Sequence, residues 1–93
     1  ADFDPLNSRA EVCIGLLGQH RGKGIASEAL QLLCEYAFKK LHLHQLYVYV
    51  PQWNNESIAL FEKKGFEKSA LLRHWQRSEN GYNDVYLMQK IAE

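Results

Sequence analysis

No charge of one sign dominates this chain: 11 lysines and arginines are matched by 11 aspartates and glutamates, for a formal net charge of zero. A neutral chain lacks the basic surface that holds nucleic acid by phosphate neutralisation, and nothing global draws it to an anionic membrane. Cysteine is scarce. Cys13 and Cys34 form no C-x-x-C pair and read as small buried side chains in a reducing compartment, not as a disulfide. No apolar run approaches a membrane span and no signal peptide is visible, so the cytoplasm is the expected location. Repeats, linkers and low-complexity tracts are missing too. The histidines (His20, His42, His44 and His74) have no carboxylate or cysteine at ligand spacing, and no metal is expected. Tyr47, Tyr49, Trp53, Trp75, Tyr82 and Tyr86 lack the basic groove that accompanies base stacking, which leaves them to sheet packing.

What is present fits one domain. Its 93 residues, 46% of them hydrophobic, stand at the small end of what a single core supports. Apolar runs predict strands over Glu11 to Leu17 and Gln45 to Val50, the second ended by Pro51. A long helix is expected from Gly24 to Leu41, its core stripe formed by Ile25, Ala29, Leu32, Leu33, Tyr36, Ala37 and Leu41. A shorter helix follows from Asn54 to Lys64. Phe66 to Arg77 and Tyr82 to Ile91 read as two strands joined at Ser78-Glu79-Asn80-Gly81, where Asn80-Gly81 is a strong hairpin signal. The order β-α-β-α-β-β implies an α/β fold with a mixed sheet, parallel at the helical crossovers and antiparallel at the hairpin.

The most informative stretch is Gln19-His20-Arg21-Gly22-Lys23-Gly24-Ile25-Ala26, between the first strand and the long helix. Paired glycines let the backbone turn tightly and leave its amides uncovered. Those amides, with the positive end of the helix dipole, suit a phosphate or diphosphate, and Arg21 and Lys23 add full charges. The stretch matches neither the Walker form nor the dinucleotide fingerprint. By itself it is equally a plain strand–helix turn.

A second feature stands at Asn54-Asn55-Glu56-Ser57-Ile58-Ala59-Leu60-Phe61-Glu62-Lys63-Lys64-Gly65-Phe66. It is self-sufficient as a helix: Asn54 caps it, Ile58 and Phe61 pack, and Gly65 stops it. The two features together, Gln-x-x-Gly-x-Gly before a helix and then Asn-x-x-Ser-x-x-x-Phe-x-x-x-Gly-Phe, resemble the GNAT superfamily of acyl-CoA-dependent N-acetyltransferases. Its spermidine/diamine and ribosomal-protein N-terminal subgroups are the nearest in pattern. The resemblance covers roughly Glu11 to the C-terminus.

The resemblance implies acetyl-CoA as cosubstrate, with no metal, and an acceptor that is a small amine or a protein N-terminus. Backbone groups of Ile14 and Leu16 would pair with the pantetheine arm, with the strands parting near Gly15. Gln19 belongs to the same motif. The amides of Arg21, Gly22, Lys23, Gly24, Ile25 and Ala26 would hold the diphosphate, and Asn54 would bond the pantetheine or the sulfur end. The family fold has further strands and two helices ahead of the first strand seen here. Residues 1–93 are therefore expected to be the C-terminal part of a GNAT domain, with much of the amine groove elsewhere. Uncovered sheet would then favour a homo-oligomer.

Acetyl transfer needs a neutral amine, and deprotonating an alkylamine of pKa near 10.4 at pH 7 costs roughly 4–5 kcal/mol. Glu11 is the candidate to bind the ammonium and help remove its proton. For the departing thiolate, many family members supply a tyrosine where this chain has Phe61, which cannot donate a proton. Ser57 offers a replacement donor, and its alternative role is to cap the first helical turn. Two other readings stay open: a non-catalytic acyl-CoA-binding module, and an α/β interaction domain without a ligand.

Overall fold

The computed structural model describes residues 3–12 and 23–93. Along the chain lie β1 (Phe3–Asp4), β2 (Arg9–Glu11), α1 (Lys23–Glu35), a π-helical turn (Tyr36–Lys40), β3 (Gln45–Pro51), α2 (Asn55–Lys63), β4 (Glu67–Ser78) and β5 (Gly81–Ile91). After the two-residue β1, the order is the one expected from the sequence. The strands form one sheet in the order β1-β2-β3-β5-β4. Joined by the α1 crossover, β2 and β3 run parallel, with Glu11 opposite Tyr47. The last strand in sequence, β5, lies between β3 and β4 and is antiparallel to both.

Alternation in β3 divides the sheet into two faces. Leu46, Val48 and Val50 are buried, while Gln45, Tyr47, Tyr49 and Pro51 point the other way and stay half-exposed. Both helices pack on the first face. Leu30, Cys34 and Ala37 from the α1 region and Ile58 and Phe61 from α2 share one core with the β3 residues and Met88 of β5. Phe61 is completely buried and meets Phe66 edge-to-face at 5.1 Å between ring centres. Gly65, at φ 94°, closes α2, and Phe66 donates its N–H back to the Phe61 carbonyl at 2.9 Å.

The face that α1 turns to the core differs from the expected stripe. Ala26, Leu30, Cys34 and Ala37 are buried, whereas Ile25, Leu32 and Tyr36 are 56%, 61% and 56% exposed. Leu33 and Leu41 are exposed too, so Ala37 is the one fully buried residue of that stripe. The cause is geometric. Both sets recur at helical spacing, so the helix is apolar over more than one face, and the face with small side chains lets it lie closest to the sheet. The π turn ends with the Leu41 N–H bonding the Tyr36 carbonyl at 3.1 Å.

At the hairpin, Ser78 pairs with Gly81, so Glu79-Asn80 form the tip. Gly81 carries the positive φ, at 129°, one residue later than an Asn-Gly centre would place it. The β4 strand is irregular twice. The second irregularity sets Arg73, His74 and Trp75 against Asp84 alone, between the pairs Leu72–Val85 and Gln76–Asn83.

Candidate functional site

Ile14, Leu16, Gln19, Arg21 and Gly22 lie outside the described residues. Of the anion cradle, the structure describes its helical side. Lys23 begins α1, Gly24 and Ile25 are exposed, and Ala26 turns inward. A Cβ built on Gly24 would meet nothing within 4 Å. None of the described residues therefore needs glycine there for space. The first turn of α1 contains no acidic residue, so the positive end of this 13-residue helix is not compensated by the side chains of its own first turn.

The crossover to α1 springs from the β2–β3 pair. Val12 donates its N–H to the Tyr47 carbonyl at 2.8 Å, the last bond of that ladder among the described residues. β3 continues from Val48 to Pro51, held on its other side by β5 as far as the Pro51–Val85 pair. Glu11 is half-buried and, by strand alternation with the core residue Val12, belongs to the face carrying Tyr47 and Tyr49. No helix covers that face among the described residues.

Three residues past β3, Asn54 caps α2 with its Oδ1 accepting the Ser57 N–H at 3.1 Å. The Asn54 backbone is fixed by its own N–H to the Pro51 carbonyl at 3.0 Å. Among the described residues its Nδ2 hydrogens have no acceptor. The Ser57 hydroxyl, half-buried, has no hydrogen-bond partner among the described residues. The cap thus consumes the Ser57 amide and not its hydroxyl. Ser57 stands on the helical layer and Glu11 on the opposite face, so the sheet separates the two polar candidates.

The uncovered face holds a feature that the sequence reading left as packing. Tyr49 stacks on Trp75 with ring centres 6.0 Å apart and planes 23° from parallel, and Tyr47 meets Tyr49 edge-on at 5.9 Å. One shallow hollow of about 270 Å³ is lined by Arg9, Gln45, Tyr47, Tyr49, Leu87 and Gln89. A second, of about 250 Å³, lies at the far end of β3 between Tyr49, Pro51, Trp75, Gln76 and Val85. Period-2 spacing of Tyr47 and Tyr49 signals their shared face. Trp75 could not be placed by spacing, because the β4 irregularity resets the alternation.

Other polar groups are structural. Hydrogen bonds from the Asn7 side chain and backbone, with Arg9 at 3.3 Å, hold the Asp4 carboxyl below its usual value at the β1–β2 turn. Burial pushes the Cys34 thiol up, and Cys34 is a free cysteine in the core. Among the described residues no group of three His, Cys, Asp or Glu side chains comes together, and no helix is long and apolar enough to cross a membrane.

The acetyltransferase (GNAT) domain profile matches residues 1–67. The uncharacterized N-acetyltransferase p20 of Bacillus licheniformis is 39% identical over 89 residues, covering 96% of this chain and 50% of that protein. Spermidine N(1)-acetyltransferase of Escherichia coli K12 is 33% identical over 73 residues, covering 78% of this chain and 39% of the enzyme. Among solved structures, spermidine N-acetyltransferase from Vibrio cholerae in complex with CoA and spermine superposes with a TM-score of 0.83 at 26% identity, over 96% of this chain and 53% of that one. A dodecameric structure of the same enzyme gives a TM-score of 0.82 at 26% identity, over 96% and 52% of the two chains. The chain spans about half the length, or less, of the relatives it matches.

Proposed function

The chain belongs to the GNAT acetyltransferase family, and from that premise we propose that it forms the acetyl-CoA-binding part of an N-acetyltransferase acting on a primary amine. The observation that carries this reading is the open start of α1. Among the described residues nothing crowds the Cβ position of Gly24, and the first turn of α1 holds no acidic side chain to offset the helix dipole. A diphosphate fits that donor set: backbone amides from Arg21 to Ala26, with Arg21 and Lys23 beside them. Backbone groups of Ile14 and Leu16, the Gln19 side of the motif and the Asn54 amide complete the binding residues we assign. When bound, acetyl-CoA supplies an acetyl thioester, whose carbonyl carbon is the electrophile.

Direct attack needs the amine freed of one proton. Glu11 accepts that proton, directly or through a water, and its carboxylate holds the ammonium beforehand. The new N–C bond forms as the C–S bond breaks. The thioester would lie where the strands part near Gly15, open to both faces of the sheet. The second proton, shed by the acylated nitrogen, thus reaches the leaving sulfur through the Ser57 hydroxyl, which gives one proton and regains one. A thiol of pKa near 8.5 is a tolerable leaving group, so donor catalysis adds only about 10²–10⁴-fold. We propose a polyamine such as spermidine as the acceptor, with a protein N-terminus as the alternative, and a homo-oligomer as the assembled form. The likeness to polyamine-acting relatives and to a dodecameric neighbour supports both.

One observation favours a second reading. Phe61, where many relatives carry the tyrosine donor, is wholly buried against Phe66, which suits a non-catalytic acyl-CoA-binding module. Calorimetry with CoA and a thiol-release assay with spermidine separate these. CoA binding without turnover by the intact protein selects the module, and no CoA binding rejects both.

A further inference from the structure

We propose that the stacked pair Tyr49–Trp75 is an aromatic platform for the distal ammonium of a linear polyamine whose reacting amine sits at Glu11. The inference deepens the acceptor assignment above and rests on it. Its origin is the surplus in β4. Leu72 pairs with Val85 and Gln76 with Asn83, so three residues stand where Asp84 leaves room for one. Without the surplus, alternation would put one side chain between Leu72 and its next neighbour on the same face. With it, Trp75 and Gln76 both reach the open face and line the same hollow of about 250 Å³.

The irregular backbone is pinned in place. Asp84 Oδ1 accepts the His74 N–H at 2.9 Å, and His74 takes a positive φ of 53°. The His74 ring lies 6.1 Å from that of Tyr82, only 10° from parallel. A non-glycine residue in the left-handed region is costly, and here its neighbours over-determine it. What this arrangement produces is a tryptophan that is 58% exposed and laid flat on a tyrosine.

The lining identifies the ligand chemistry. Tyr49, Pro51, Trp75, Gln76 and Val85 carry no charge, so an anion would find no cation to pair with there. An ammonium finds ring faces, whose quadrupole attracts cations, and the Gln76 carbonyl. The same sheet already uses this contact internally, with Lys68 Nζ 4.6 Å from the centre of the Tyr86 ring. At about 250 Å³ the hollow is smaller than a typical ligand pocket of roughly 300–1,000 Å³, so it suits one end of an extended molecule.

Position supplies the second cation. Glu11 is opposite Tyr47, and Tyr49 is the next residue of β3 on that face, roughly 7 Å further along the strand. Trp75 widens the platform sideways. A linear polyamine places successive ammonium groups along such a line, whereas a monoamine reaches only one of the two positions.

The test uses the intact protein in a Trp53→Phe background, with any tryptophan outside residues 1–93 also replaced by phenylalanine, so that the emission reports Trp75. Spermidine should quench its emission saturably, n-butylamine should bind at least about tenfold more weakly, and uncharged 1,8-octanediol should not compete. By calorimetry, Trp75→Leu and Tyr49→Leu should each weaken spermidine binding by about threefold or more, while Trp75→Phe retains most of it. CoA affinity is measured on the same samples and should not change. Equal binding of spermidine and the diol, an unaltered spermidine Kd in Trp75→Leu, or no spermidine binding overturns the platform, and normal CoA binding then leaves the acetyltransferase reading standing. Trp75-dependent spermidine binding by a protein that never binds CoA does the reverse.

Discussion

Replacing Gly24 by alanine should move stability and CoA affinity in opposite directions. Among the described residues a Cβ at this position meets no atom within 4 Å, so none of them objects to it sterically. Gly24 is helical, and glycine in a helix costs about 0.5–1 kcal/mol relative to alanine, with the lower end apt for a first-turn position. For a domain of this size, about 0.5 kcal/mol raises Tm by about 2–4 °C. The bound diphosphate, if it lies against this backbone, would meet the new methyl group. Loss of one hydrogen bond to a charged group is worth about 1.5–3 kcal/mol, or about 10- to 100-fold in affinity. Calorimetric unfolding without ligand and isothermal titration with CoA measure the two effects. A Tm gain together with unchanged CoA affinity would refute the seating of the diphosphate at the start of α1. A Tm loss would show that the space around Gly24 is filled by the chain itself.

Four further outcomes can be checked. Gly22→Asp should abolish CoA binding, by bulk and by charge, while His20→Ala should leave it nearly intact; calorimetry decides between them. Ser57→Ala should lower kcat at least about tenfold with CoA affinity retained, because the cap uses the Ser57 amide and not its hydroxyl; an unaltered kcat would leave Ser57 as a cap alone. Phe61→Tyr buries a hydroxyl in a fully enclosed apolar site and should cost about 1–3 kcal/mol in denaturant unfolding, and equal stability would mean the ring can reach a polar partner. Cys34, whose thiol burial raises above its ordinary 9.0, should resist alkylation in the folded state. Its folded pKa exceeds its unfolded one, so its contribution is complete below pH 9.0 and declines as pH rises through that value and the folded pKa; a flat stability profile above pH 9 in protein, with Cys34→Ala identical, would contradict this.

Much of this architecture could be read from residue order alone because its signals are local. Alternation through Leu46, Val48 and Val50 marks β3, and Asn54 and Gly65 bracket α2, one residue before it begins and two after it ends. The hairpin was legible from Asn80-Gly81, although Gly81 alone takes the positive φ and the tip shifts back by one. Competition between faces was not legible. α1 is apolar on its core side and on an adjoining flank, and only the proximity of the sheet selects Ala26, Leu30 and Cys34 over Ile25 and Leu32. The meeting of Tyr49 with Trp75 was hidden for another reason. It depends on Asp84 capturing the His74 amide across two strands, and no spacing within β4 encodes that.

The position of β5 has a consequence for how the chain is made. Its residues are translated after those of β3 and β4, yet Met88 fills the centre of the core and the strand supplies the ladders for both. Until those residues leave the ribosome, β3 has no partner on that side and β4 has none of its own. Helix α2 can form locally, but it would rest on a sheet lacking its middle. The nascent chain therefore passes through synthesis with adhesive strands exposed, and it gains cooperative stability in one late step. A premature stop anywhere before Val85 would remove the centre of the sheet and not its margin, so such products are expected to be degraded or to aggregate instead of persisting as shortened proteins.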